Sequence, residues 1–164
     1  MKKIAFIVVV IAAAIGLAIW GMGDSRAEAP EVSFTDLQGK KFTTSDLRGK
    51  VVLVKFWATD CTTCVAQMPD NIKNHQQYAD QGFDIIAVAM KHDPLDYVKN
   101  FTTSRDLPFT VVSDSDGQIS KAFGDIRLTP TAFLLDKQGR IIKRYLGNYD
   151  KQEFTQTVEK ALAS

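Results

Sequence analysis

Cys61 and Cys64 are the only cysteines in a chain of 164 residues, and two residues separate them. A thiolate is both a nucleophile and a leaving group, so a pair at this spacing can form, break and exchange disulfide bonds. The pair follows Val51-Val52-Leu53-Val54-Lys55-Phe56-Trp57, an apolar, β-branched run of strand length that reads as buried on both faces. The pattern breaks at Thr59-Asp60, and the stretch from there to Tyr78 reads as a helix. Unpaired backbone N–H groups and the positive end of the helix dipole stabilise a thiolate at such a helix start. Cys61 is expected at the exposed tip and Cys64 in the first turn. Cys61 would attack a partner disulfide, and Cys64 would resolve the mixed disulfide. A structural bridge across so short a loop would restrain little of the unfolded chain. A zinc site needs four ligands, and beyond the cysteines only His75, His92 and scattered methionines offer soft donors. Thiol–disulfide exchange is therefore the leading reading, with no cofactor and no resident metal. Its alternative is Cu(I) delivery through both thiolates with a His or Met.

The elements that must position this pair follow in order. Phe34 to Phe42 reads as a hairpin with Gly39 in the turn, and Thr43 to Lys50 as a short helical turn leading into the central strand. Pro69 should kink the cysteine-bearing helix and Gly82 should end it. Phe83 to Met90 reads as a second buried strand. Asp93-Pro94 predicts a helix start with Asp93 as N-cap, and Leu95, Val98 and Phe101 form that helix's apolar stripe. Phe109 to Val112 is a short strand. Thr131 to Asp136 and Ile141 to Leu146 form a second hairpin, and Asp150 to Glu153 begins a last helix in the manner of a capping box. Alternating strands and helices that close on a hairpin and a helix predict an α/β fold, a mixed sheet sandwiched by helices.

Lys55-Phe56-Trp57-Ala58, then Cys61-x-x-Cys64 and Met68-Pro69, resemble the TlpA/ResA family of membrane-anchored, thioredoxin-fold thiol–disulfide oxidoreductases. The likeness runs from about Val32 to the C-terminus. It implies a thioredoxin-like fold with an N-terminal β-hairpin extension, a pattern that peroxiredoxins share. A peroxiredoxin-like peroxidase would need an activating Arg, and none lies near the motif in sequence. The likeness also implies that Pro130, after Thr129, forms a cis peptide facing the cysteines and positions substrate. Reduction of disulfides is the family's usual task, fed by a membrane electron donor for thiols, with apocytochrome c or metal-centre assembly proteins as substrates. Three positions depart from the pattern. Asp60 stands where thioredoxin-like motifs place Trp, and Thr63 where Pro is frequent. Lys55 stands where thioredoxins carry a buried Asp. Lys55 could stabilise a thiolate as an ammonium, shuttle a proton for Cys64, or extend its amine to solvent. Asp60 would oppose a cationic effect, and Asp93 lies near the place of an acid in ResA-type proteins, so it too is a candidate for tuning the thiols.

Lys2-Lys3 precede an apolar run from Ile4 to Trp20, extended by Gly21 to Gly23. Residues 1–23 therefore read as a single-pass membrane anchor, or as a cleaved signal peptide, since Ala27-Glu28-Ala29 fits a cleavage pattern. The positive-inside bias places the rest on the extracytoplasmic, periplasmic side of the inner membrane. Residues 24–31 read as a linker and 32–164 as the thioredoxin-like domain. Of the 20 basic residues only Lys2 and Lys3 precede Asp24, leaving 18 against 19 acidic ones. So even a balance gives no sign of a nucleic-acid surface. Disulfide-bearing proteins are the expected partners.

Overall fold

The computed structural model describes residues 26–164. The proposed anchor at 1–23 lies outside them, and among the described residues no helix is long and apolar enough to cross a membrane. Ser33–Thr35 (β1) pairs antiparallel with Lys41–Thr43 (β2), and Gly39 adopts φ +87° in the turn between them. A short 3₁₀ turn, Ser45–Leu47, leads to Val51–Trp57 (β3), in which every residue is buried. Thr62–Tyr78 (α1) carries the second cysteine, and Pro69 lies inside it without ending it. A 3₁₀ turn at Ala79–Gln81 follows, and Gly82, at φ +94°, closes it. Phe83–Ala89 (β4), Leu95–Ser104 (α2), Thr110–Ser113 (β5), Gln118–Ala122 (α3), Thr131–Leu135 (β6), Ile141–Leu146 (β7) and Lys151–Leu162 (α4) complete the order.

The main sheet runs β5-β4-β3-β6-β7. β4 lies parallel to β3 and to β5, while β6 is antiparallel to β3 and to β7. This thioredoxin-like mixed sheet places β3 at its centre. Alternation along β3 then divides the core. Val51, Leu53 and Trp57 pack with Cys64, Met68, Phe154 and Val158 on one face. Val52, Val54 and Phe56 pack with Phe34, Ile119 and Phe123 on the other. Each such side chain contributes about 1.5–3 kcal/mol by leaving water. Lys55 occupies the first face and is also fully buried, the one charged side chain on the strand.

Three details differ from expectation. Asp93 is not the N-cap of α2: Pro94 holds that place with extended φ −60° and ψ 131°, and no side chain caps the helix. The Asp93 carboxylate is drawn instead to a stronger pair of donors, described below. Leu95 does not belong to the buried stripe; it is 45% exposed, and Val98 and Phe101 carry the packing. The helical turn α3 was not expected. Buried Asp114 makes it, accepting from the N–H groups of Ile119 and Ser120 at 3.0 and 2.9 Å. By contrast Asp150 caps α4 through the Glu153 N–H at 2.7 Å.

The stretch that composition reads as linker lies against the domain. Glu28 bridges to Arg140, the Ala27 carbonyl accepts from Ile141 N–H at 2.8 Å, and the Pro30 carbonyl accepts from the Thr44 hydroxyl at 2.8 Å.

Candidate active site

The end of β3 delivers the chain to the cysteines. Cys61 is the N-cap residue of α1, with extended backbone (φ −88°, ψ 97°), and its Sγ occupies the place of a capping oxygen. The Cys64 N–H points at that sulfur, 3.2 Å away. A donor aimed at the sulfur and a helix start beneath it both favour the thiolate when the pair is reduced. Here Cys61 and Cys64 are joined as a disulfide, with Cα atoms 5.2 Å apart. Cys61 is partly exposed, whereas Cys64 is completely buried. One sulfur is therefore open to a partner and the other is shielded.

Asp93, only 6% exposed, holds the loop in front of the cysteines. One carboxylate oxygen accepts from Thr59 N–H and the other from the Thr59 hydroxyl, each at 2.6 Å. Two donors to a charged acceptor satisfy this buried group far better than the single amide of an N-cap. Asp60 instead faces solvent, 74% exposed, with His92 Nε2 at 3.4 Å. Water screens a charge so placed. His75 lies further along α1 against Asp84 and the Phe109 ring. Among the described residues no cluster of three His, Cys, Asp or Glu side chains could hold a metal.

Pro130 sits at the same end of the sheet, because β6 begins opposite Phe56 of β3. The Thr129–Pro130 peptide is cis. Pro130 is buried, Thr129 half-buried, and Leu128 beside them 65% exposed. The Pro130 carbonyl accepts from Gly147 N–H at 2.8 Å, which ties this loop to the one preceding α4.

Lys55 does not reach solvent. Its Nζ donates to Gln67 Oε1 at 2.6 Å and lies 5.9 Å from the centre of the Tyr149 ring. Burial pulls its pKa from 10.5 down to about 7, and the Asp70 carboxylate opposes this in part. Small neighbours make the room: across β3, Lys55 is flanked by Ala87 and Ala132.

The Redoxin family profile matches residues 24–162. The thiol-disulfide oxidoreductase ResA of Bacillus thuringiensis subsp. konkukian is 38% identical over 133 residues, which is 81% of this chain and 76% of that protein. The chain belongs to the TlpA/ResA-like redoxins. It is accordingly a thiol–disulfide oxidoreductase. Solved structures agree with this redoxin's fold. A Neisseria meningitidis protein known in solution superimposes with TM-score 0.78 at 38% identity, covering 86% of this chain and 93% of that one. A thioredoxin-family thiol:disulfide interchange protein of Chlorobium tepidum gives TM-score 0.76 at 28% identity, covering 85% and 98%.

Gln67 and Tyr149 meet the Lys55 amine, Tyr149 in turn donates to Asn71, and none of the three was singled out from the sequence. Gln67 had a usable signal, because it follows Cys64 by three residues and so shares its helix face. Tyr149 had none, since only the fold brings it over Lys55.

Proposed function

We propose that this redoxin reduces disulfides in partner proteins on the extracytoplasmic side of a membrane. Residues 1–23 hold it there as a single-pass anchor, or direct it there as a signal peptide. The observation that carries the chemistry is Cys61 as helix N-cap, its sulfur met by the Cys64 N–H. The Cys61 thiolate attacks one sulfur of the partner disulfide. The partner's S–S bond breaks, and its other sulfur leaves as a thiolate that takes a proton from water. Cys64 then gives its proton to the Lys55 amine and attacks Cys61 Sγ. The mixed disulfide breaks, and the second partner sulfur departs and is protonated. Two electrons have passed to the partner, and the Cys61–Cys64 disulfide remains. A dithiol donor in the membrane then reduces that disulfide, becoming a disulfide itself, and returns Cys61 and Cys64 to thiols. Thr129 and Pro130, at the same end of the sheet, position the substrate strand in this reading. Apocytochrome c and metal-centre assembly proteins are the substrate classes that the family resemblance supports.

The deciding experiment is the equilibrium potential against glutathione. A value near thioredoxin's, about −270 mV, supports a reductant, and one near −120 mV would assign the opposite direction. Carbonate extraction of membranes tests the anchor separately, because a cleaved chain would be released.

A further inference from the structure

We propose that Gln67 is a positioning residue of this site: its amide holds the Lys55 amine close to the turn that carries Cys64, supplies no countercharge to it, and fastens that turn to the loop around Pro130. The amide uses both ends. Its Oε1 accepts from Lys55 Nζ at 2.6 Å, while its Nε2 donates to the Gly147 carbonyl at 3.1 Å and to Asn148 Oδ1 at 3.2 Å. Gly147 N–H in turn donates to the Pro130 carbonyl at 2.8 Å. One buried side chain, 8% exposed, thus joins β3 and α1 to the loop before α4, and the Gly147 N–H carries that link on to Pro130. Gln67 is one turn beyond Cys64 on the same face, a separation of about 5–6 Å between Cβ atoms.

The choice of an amide matters because of what surrounds the amine. From β4 and β6 the flanking residues are Ala87 and Ala132, neither of which titrates. From the loop before α4 comes the Tyr149 ring, its phenol bonded to Asn71 Oδ1 at 3.3 Å. From α1 comes the Asp70 carboxylate, already held by Lys151 of α4 at 2.7 Å. Cys64 itself lies on the α1 side of this face. Lys55 therefore has a hydrogen-bond acceptor without a dedicated anion. It stays able to accept the Cys64 proton, which a carboxylate at position 67 would prevent by committing the ammonium to an ion pair.

The inference rests on the proposed proton transfer from Cys64 to Lys55, and the test separates the two. Reduced full-length chain in detergent is mixed with 5,5′-dithiobis(2-nitrobenzoate). The first thionitrobenzoate released reports attack by Cys61, and the second reports Cys64 resolving the mixed disulfide. In Gln67→Glu the second phase should slow about ten-fold at pH 7, its pH midpoint rising by about one unit. The first phase should stay within about two-fold. Gln67→Leu, which has no acceptor, should also slow the second phase; it serves as the reporter if the Glu variant fails to fold. A Gln67→Glu protein with lower Tm but wild-type phases and midpoints would reduce Gln67 to a packing role and overturn the inference. If Lys55→Met leaves the second phase unchanged, the proton-transfer reading fails and the Gln67 inference with it. If Lys55→Met alters that phase and Gln67→Glu does not, the Gln67 inference alone fails.

Discussion

Replacing Lys55 by Met asks how the fold tolerates an amine in its core. In the unfolded chain a lysine keeps its proton to about pH 10.4. In the folded domain burial lowers this to about 7. The gap of about 3.5 units corresponds to about 5 kcal/mol of differential stabilisation. Its sign is fixed by proton counting. Between the two values the unfolded state binds the extra proton, so native stability rises with pH. Below pH 7 the ammonium is present in both states and folding bears the whole penalty. The window closes near pH 9.5, because burial raises the phenols of Tyr145 and Tyr149, and they contribute the opposite slope above their unfolded value near 10. Between pH 7 and 9.5 the wild-type domain should therefore gain about 3 kcal/mol relative to Lys55→Met. The assay is urea unfolding of the oxidised 26–164 domain, in which the cysteines do not titrate. Parallel stability curves for the two proteins would refute the reasoning, since they would mean an amine that keeps its proton inside the fold.

Other expectations follow from single contacts. Cys64→Ser should accumulate a covalent mixed disulfide with substrate, visible as a dithiothreitol-sensitive band, whereas Cys61→Ser should form none and lose turnover. Asp93→Ala removes two hydrogen bonds from Thr59 to a charged acceptor. It should cost about 3 kcal/mol in denaturant unfolding and change the rate at which iodoacetamide labels Cys61. Asp150→Ala removes the cap of α4 and should lower stability by about 1 kcal/mol without altering the reduction potential.

Much of this arrangement was legible in the residue order. A β-branched, apolar run broken only by Lys55 reads as a strand covered on both faces, and β3 is buried along its whole length. Cys61 followed by helical sequence marked a sulfur at a helix start, because the two-residue spacing and the break at Thr59-Asp60 are local signals. Asp150 and Glu153 signalled the start of α4 for the same reason. Asp93 was misread by the same local logic. Asp before Pro is a good cap when nothing else competes, but Thr59, 34 positions away in sequence, offered two donors.

The sequence by itself determined the pair of sulfurs, the strand and helix that present them, and the chemical class to which they belong, since these depend on neighbours within a turn or a strand. Only the tertiary structure decided the state of Lys55. Whether a lysine on a strand reaches water depends on what covers that face, and here α1 and the loop before α4 cover it completely. Seclusion from water lowers the pKa of its amine, and Gln67 and Tyr149, brought from distant segments, supply a hydrogen bond and a ring in place of water.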